Sequence, residues 1–279
     1  MQRMTSIILT LAVAAFIAAT AMGALAPRST MAVPHTEAMV AAILSMVEAP
    51  QPWAGLDEIV LRPRNVWLWG LLLALWAALT IHALRSVVMQ QRQDMPAVPA
   101  PVEQPATIWS APAEPEAHRL DNAPSEHAPL IVALLAGAVW TQLAGDQPVA
   151  AFIAAMVMLG GALTAATRGR RDGRRIRASI AAALLAGWAI VATYGSFAAL
   201  LVAKLDMSNT IATSIALLLC AVAGLAVQIR LQGSAAFSVA LIGALLGVAA
   251  ATMGQSPMAA ITATIGIAAM TVVLIREMA

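Results

Sequence analysis

The stretch Ala178–Ala203 reads ASIAAALLAGWAIVATYGSFAALLVA, without a charged side chain from end to end. A helix that crosses the hydrocarbon core of a bilayer needs about 20 mostly apolar residues, and this stretch supplies them. The same pattern recurs at Thr5–Leu25, Val66–Val88, Ala128–Ala144, Val149–Thr167, Thr210–Leu231, Ala235–Met253 and Pro257–Ile275, giving eight candidate spans. The span at Ala128–Ala144 is the shortest and weakest. Bulk composition agrees: 61% of the 279 residues are hydrophobic, 11% are charged, and mean hydropathy is +0.82. A soluble domain is about 45–50% apolar and about 25% charged. These values exclude disorder over most of the length, and the recurrence excludes a soluble enzyme on a single anchor. The fold class is therefore all-α, a polytopic membrane helical bundle of about eight transmembrane helices in contact with the lipid bilayer.

Charge sets the expected orientation. With the N-terminus in the cytoplasm, eight spans place 12 of the 16 cations on the cytoplasmic side and leave Arg28, Arg62, Arg64 and Lys204 opposite. Both termini are then cytoplasmic. Arg3, the apolar stretch after it and Ala24-Leu25-Ala26 also resemble a cleavable signal peptide. Pro27 just after the cut site disfavours cleavage, so residues 1–25 are read as a first span and possible signal anchor. Residues 26–65 follow as an extracytoplasmic segment, in which Met39, Ile43, Met46 and Val47 recur at helical spacing. Residues 66–93 hold the second span. Residues 94–129 carry eight of the 15 prolines and read as a cytoplasmic linker, with Trp109 a solitary aromatic in it. Spans three to five occupy 130–203, and 204–279 form a three-helix C-terminal extension. Gly145-Asp-Gln-Pro148 reads as a tight hairpin turn between spans three and four.

The chemistry expected in these spans is limited. No Asp, Glu, Lys or Arg lies in a span interior, so a carboxylate relay for protons or sodium is disfavoured. Of the four histidines only His82 is placed in a span, near its cytoplasmic end, and a lone histidine there reads as a snorkelling or hydrogen-bonded group, with no metal site expected. The single cysteine, Cys220, cannot form an intrachain disulfide. No phosphate loop, nucleophile elbow or catalytic spacing is present, so an enzyme is not expected. The arginine run from Arg168 to Arg177 suits a positive-inside loop, with anionic headgroups as the other reading; nucleic acid is not needed to explain it.

Seven of the twelve aromatic residues are Trp. Trp67 and Trp69 stand at a span entrance, where aromatic belts form. Trp69 and Trp76 share a helical face, as do Trp188, Ala192 and Ser196. Trp188 is well inside its span and is expected to face other helices, where a buried Trp beside small residues lines a pocket for a flat apolar ligand. Three segments carry a resemblance: Arg62-Pro-Arg-Asn-Val-Trp-Leu-Trp69, Leu135-Ala-Gly-Ala-Val-Trp140 and Gly187-Trp-Ala-Ile-Val-Ala-Thr193 with Ser196 and Phe197. They resemble helices two, three and five of the tryptophan-rich sensory protein (TspO, translocator protein) family, in its longer bacterial form with extra C-terminal helices. The resemblance covers roughly residues 5–203. Gly137 and Ser196 stand where the family prefers Asn, and Leu73 where many members have Tyr.

The resemblance implies a five-helix TspO-like core plus three helices, in a bacterial inner membrane. It implies a hydrophobic planar ligand, a porphyrin, another tetrapyrrole or a sterol-like molecule, bound by a sensor, carrier or regulator. Trp140 and Trp188 are the expected pocket wall, Ala192 and Ser196 give room, and Trp69 and Trp76 are further ligand-binding candidates. Two other readings stay open: a non-catalytic structural or assembly subunit of a larger membrane complex, and a permease for an uncharged apolar solute. Partners left open are a second copy of the chain and a membrane-complex partner.

Overall fold

The computed structural model of the chain describes residues 2–25, 55–93, 123–168, 179–231 and 235–278. The expected helix within Thr36–Val47, Trp109 and most of the Arg168–Arg177 run lie outside these residues. The described residues form helices α1 (Gln2–Leu25), α2 (Leu56–Leu61), α3 (Val66–Gln93), α4 (Ala123–Leu143), α5 (Pro148–Arg168), α6 (Ile180–Leu205), α7 (Asn209–Arg230), α8 (Ala235–Thr252) and α9 (Pro257–Met278). Seven are long and apolar enough to cross a membrane, and α4 adds a shorter apolar stretch, His127–Leu143. This is a multi-pass membrane protein, and the short third span is the one expected from sequence.

The helix ends follow their residue types. Pro148 opens α5, where a missing N–H costs nothing, and Gly145 takes φ +103 in the turn before it. Asp206 stops α6 in the left-handed region, and the Ser208 hydroxyl then accepts from the Ile211 N–H to begin α7. Ser256 likewise caps α9 through the Ala259 N–H, with Pro257 in the first position. One boundary differs from expectation. Helix α4 begins at Ala123, inside the stretch read as linker, and carries Pro129 within it. Pro129 cannot donate to the carbonyl one turn earlier. Its own carbonyl lies against Gly161 of α5, where any Cβ would sit 2.7 Å away.

Helix α6 is the axis of the bundle. Its apolar window is 67% buried inside the protein, against 28% for α1, α3, α5 and α9. It packs on α5, α7, α8, α3 and α2. Lipid tails are as apolar as leucine, so helices in a bilayer associate where small residues let backbones approach. On α6 these are Ala181–Ala183, Ala186, Gly187, Ala189, Ala192, Gly195 and Ala198, all buried. At Gly187 a Cβ would stand 2.7 Å from the Ala240 Cβ and 3.0 Å from the Phe237 carbonyl, so α8 rests directly on this glycine. At Gly195 the neighbour is the backbone of Asp57, 3.2 Å from such a Cβ, so the short α2 lies across the late part of α6.

Around this axis, α1 packs on α4 and α3, and α9 closes the other side against α7 and α8. Asn65 fixes the start of α3. Its Oδ1 accepts from the Leu68 N–H at 3.0 Å, a helix cap, and its Nδ2 donates to the Gly247 carbonyl of α8 at 2.6 Å.

Candidate functional site

The clearest polar link in the bundle interior joins two of the sequence-chosen residues. The Trp140 Nε1–H of α4 donates to the Ser196 Oγ of α6 at 2.8 Å, and the two residues are 1% and 2% exposed. A buried indole N–H needs an acceptor, and Ser196 supplies it from the neighbouring helix. Just before Ser196, the Thr193 hydroxyl bonds the Ala189 carbonyl at 2.7 Å and reaches the Ala155 carbonyl of α5 at 3.1 Å. Thus α4, α5 and α6 are tied by polar contacts within one turn of α6.

Trp188 lies two turns earlier on α6, about 12 Å along its axis. It is 2% exposed, and its Nε1 has no hydrogen-bond partner among the described residues. Ala192, between Trp188 and Ser196, is fully buried. Successive steps of four residues turn a helix by about 40°, so the three residues form a shallow spiral over one side of α6. The two α3 tryptophans behave differently. Trp76 is half-buried and donates through Nε1 to the Thr20 hydroxyl of α1 at 3.0 Å, while Thr20 donates to the Phe16 carbonyl. Trp69 is half-buried at the start of α3. So the structure joins Trp140 to Ser196, places Trp188 and Ala192 further along the same helix, and engages Trp76 with α1. An apolar groove lined by Met253, Pro257, Ala260, Ile261, Thr264, Ile265 and Ala268 contains none of the six.

The departures from the family pattern have local reasons. A Cβ on Gly137 would meet the Phe16 ring at 2.7 Å and the Met158 Sδ at 2.8 Å, so α1 and α5 leave no room for an Asn there. Leu73 is 53% exposed on the outer face of α3. Ser196, in place of the second Asn, is the acceptor for Trp140.

Helix α2 borders this region through Gly195, the neighbour of Ser196. It buries Leu56, Ile59 and Val60. Burial pushes the Asp57 carboxyl above its ordinary range, the nearby Glu58 charge adds to this, and backbone N–H groups at the helix start pull the other way. Glu58 pairs with Arg64 at 3.2 Å on the surface.

Sequence reasoning missed three interhelical links: Asn65, Thr193 and Thr20. Asn65 had a readable signal, since an Asn directly before an apolar run marks a helix start. The hydroxyls of Thr193 and Thr20 had none, because a threonine inside an apolar helix usually bonds its own backbone.

The family model described as TSPO-like protein matches residues 106–276. The match takes in α4 to α9, so it shares 106–203 with the expected region, leaves out α1 to α3 and includes the three C-terminal helices. No curated protein and no solved structure matched the chain.

Proposed function

Because the chain belongs to the TSPO-like protein family, we propose that it binds a planar hydrophobic ligand, porphyrin- or sterol-like, on the α4 and α6 side of the bundle. It acts as a sensor, carrier or regulator without catalysing a reaction. The observation that carries the reading is the Trp188 Nε1–H, buried and without an acceptor among the described residues. An unmet buried donor costs about 1–3 kcal/mol, which a ligand oxygen or nitrogen would recover. Trp140 and Ser196 then form a fixed wall, with Ala192 the small residue between Trp188 and Ser196 on α6. The basic ends of the helices, with Arg85, Arg168, Arg230 and Arg276, lie in the cytoplasm of a bacterial inner membrane.

The test is titration of the purified protein with protoporphyrin IX, followed by the ligand's own absorbance. Saturable binding is expected, weakened about 5-fold or more in Trp188→Phe. That variant removes the buried orphan, so its thermal stability is expected to hold or rise. Absence of saturable binding, or equal affinity in the variant, overturns the reading.

A second reading has its own support. Trp140, Trp188 and Ala192 are almost wholly covered by the protein's own atoms, as in a scaffold that holds partners in a membrane complex. Defined partners retained after mild detergent extraction favour it, and a clean single species rejects it.

A further inference from the structure

His82 is not isolated in the fold. Because α4 starts at Ala123, His127 is helical, and its ring lies beside that of His82 on α3 with centroids 5.9 Å apart and planes at 72°. We propose that His82 and His127 bind a divalent transition-metal ion of the zinc class, strapping α3 to α4. A metal held at about 2.0–2.1 Å by one nitrogen of each imidazole brings the ring centres to roughly 5–6 Å, the spacing seen here. Both side chains are half-buried, and His127 in the early turns of α4 and Ser179 at the N-cap of α6 put the pair toward one end of the bundle.

The neighbouring Ser179 supports the assignment. It occupies the N-cap position of α6, yet its hydroxyl makes no cap bond and stands 3.2 Å from the His82 Nδ1. A serine in that position ordinarily bonds the first turn of its own helix. Here it orients an imidazole. With the metal on Nε2, His82 keeps its proton on Nδ1 and donates it to Ser179, the outer-shell arrangement usual for metal-bound histidine. Among the described residues no group of three or more His, Cys, Asp or Glu surrounds the pair, so water completes the coordination shell. Imidazole nitrogen selects zinc, nickel or copper over magnesium or calcium. The strap has a mechanical consequence, because α3 packs on α1, α6 and α8 but scarcely on α4.

The test uses the untagged full chain in detergent. Zinc chloride is expected to raise the midpoint of thermal unfolding by several degrees, and magnesium chloride is not. Equilibrium dialysis is expected to give one zinc per chain. Both effects are lost in His82→Gln and in His127→Gln, and Ser179→Ala weakens zinc binding several-fold. The double variant His35→Gln/His118→Gln keeps them. If either pair variant unfolds, copper in place of zinc gives a second readout on the wild-type chain: its electron paramagnetic resonance spectrum shows coupling to two nitrogens. No zinc effect in the wild type, an unchanged effect in either pair variant, loss of it in the His35/His118 variant, or a copper signal without nitrogen coupling overturns the site.

Discussion

At Ser196 a single oxygen decides whether an indole N–H in the bundle interior is satisfied. Ser196→Ala strands the Trp140 donor and is expected to cost about 1–3 kcal/mol, read as a lower unfolding midpoint in detergent. Trp140→Phe together with Ser196→Ala removes both partners and is expected to recover much of that loss. Gly137 gives the opposite kind of sensitivity. With Phe16 and Met158 already against it, Gly137→Asn is expected to destabilise by about 1–3 kcal/mol through overpacking. Such residues were unevenly legible. Trp140 stood out as a Trp in a family-like segment, and Trp188 and Ser196 through their helical spacing as well. His127 did not, because a histidine between prolines reads as linker until the helix start at Ala123 is known.

At the scale of elements, Asn65 separates two roles in one side chain. Asn65→Asp keeps the oxygen that caps α3 and drops the donor to the Gly247 carbonyl; Asn65→Ala drops both. The aspartate oxygen left facing the Gly247 carbonyl repels it, so Asn65→Asp is expected to lose at least as much as the roughly 1 kcal/mol lost with the cap in Asn65→Ala, measured as unfolding midpoints. Helix α2 responds to pH. The Asp57 carboxyl titrates above its ordinary range when α2 is docked, so docking favours the protonated form. The stability it contributes is complete in acid and is lost as pH rises through its docked value. Protease protection of residues 55–65 is expected to fall as pH rises through and above the ordinary carboxylate range, and Asp57→Asn is expected to flatten that curve. The span boundaries themselves were readable to within two or three residues almost everywhere, because apolar length and turn residues are local properties. The partner of each helix was not, since it depends on which alanine or glycine faces which backbone.

For the molecule as a whole, hydropathy identified a membrane bundle but ranked its helices wrongly for importance. Helix α6 is less hydropathic than α1, yet α6 is the buried axis. Hydropathy measures affinity for lipid, and the most central helix is the one that meets least lipid. Small residues mark it instead.

Helix α6 also sets an order of assembly. Its neighbours α3 and α5 leave the ribosome before or with it, but α8, which covers Gly187 and accepts the Asn65 bond, is made later. Until α8 enters the bilayer, the notch at Gly187 faces lipid and the α3 clamp has no carbonyl to hold. A nascent chain ending near Leu231 therefore carries an unfilled seam along its own axis, and such truncations are expected to be cleared by membrane proteases far faster than the full chain, as pulse-chase labelling would show.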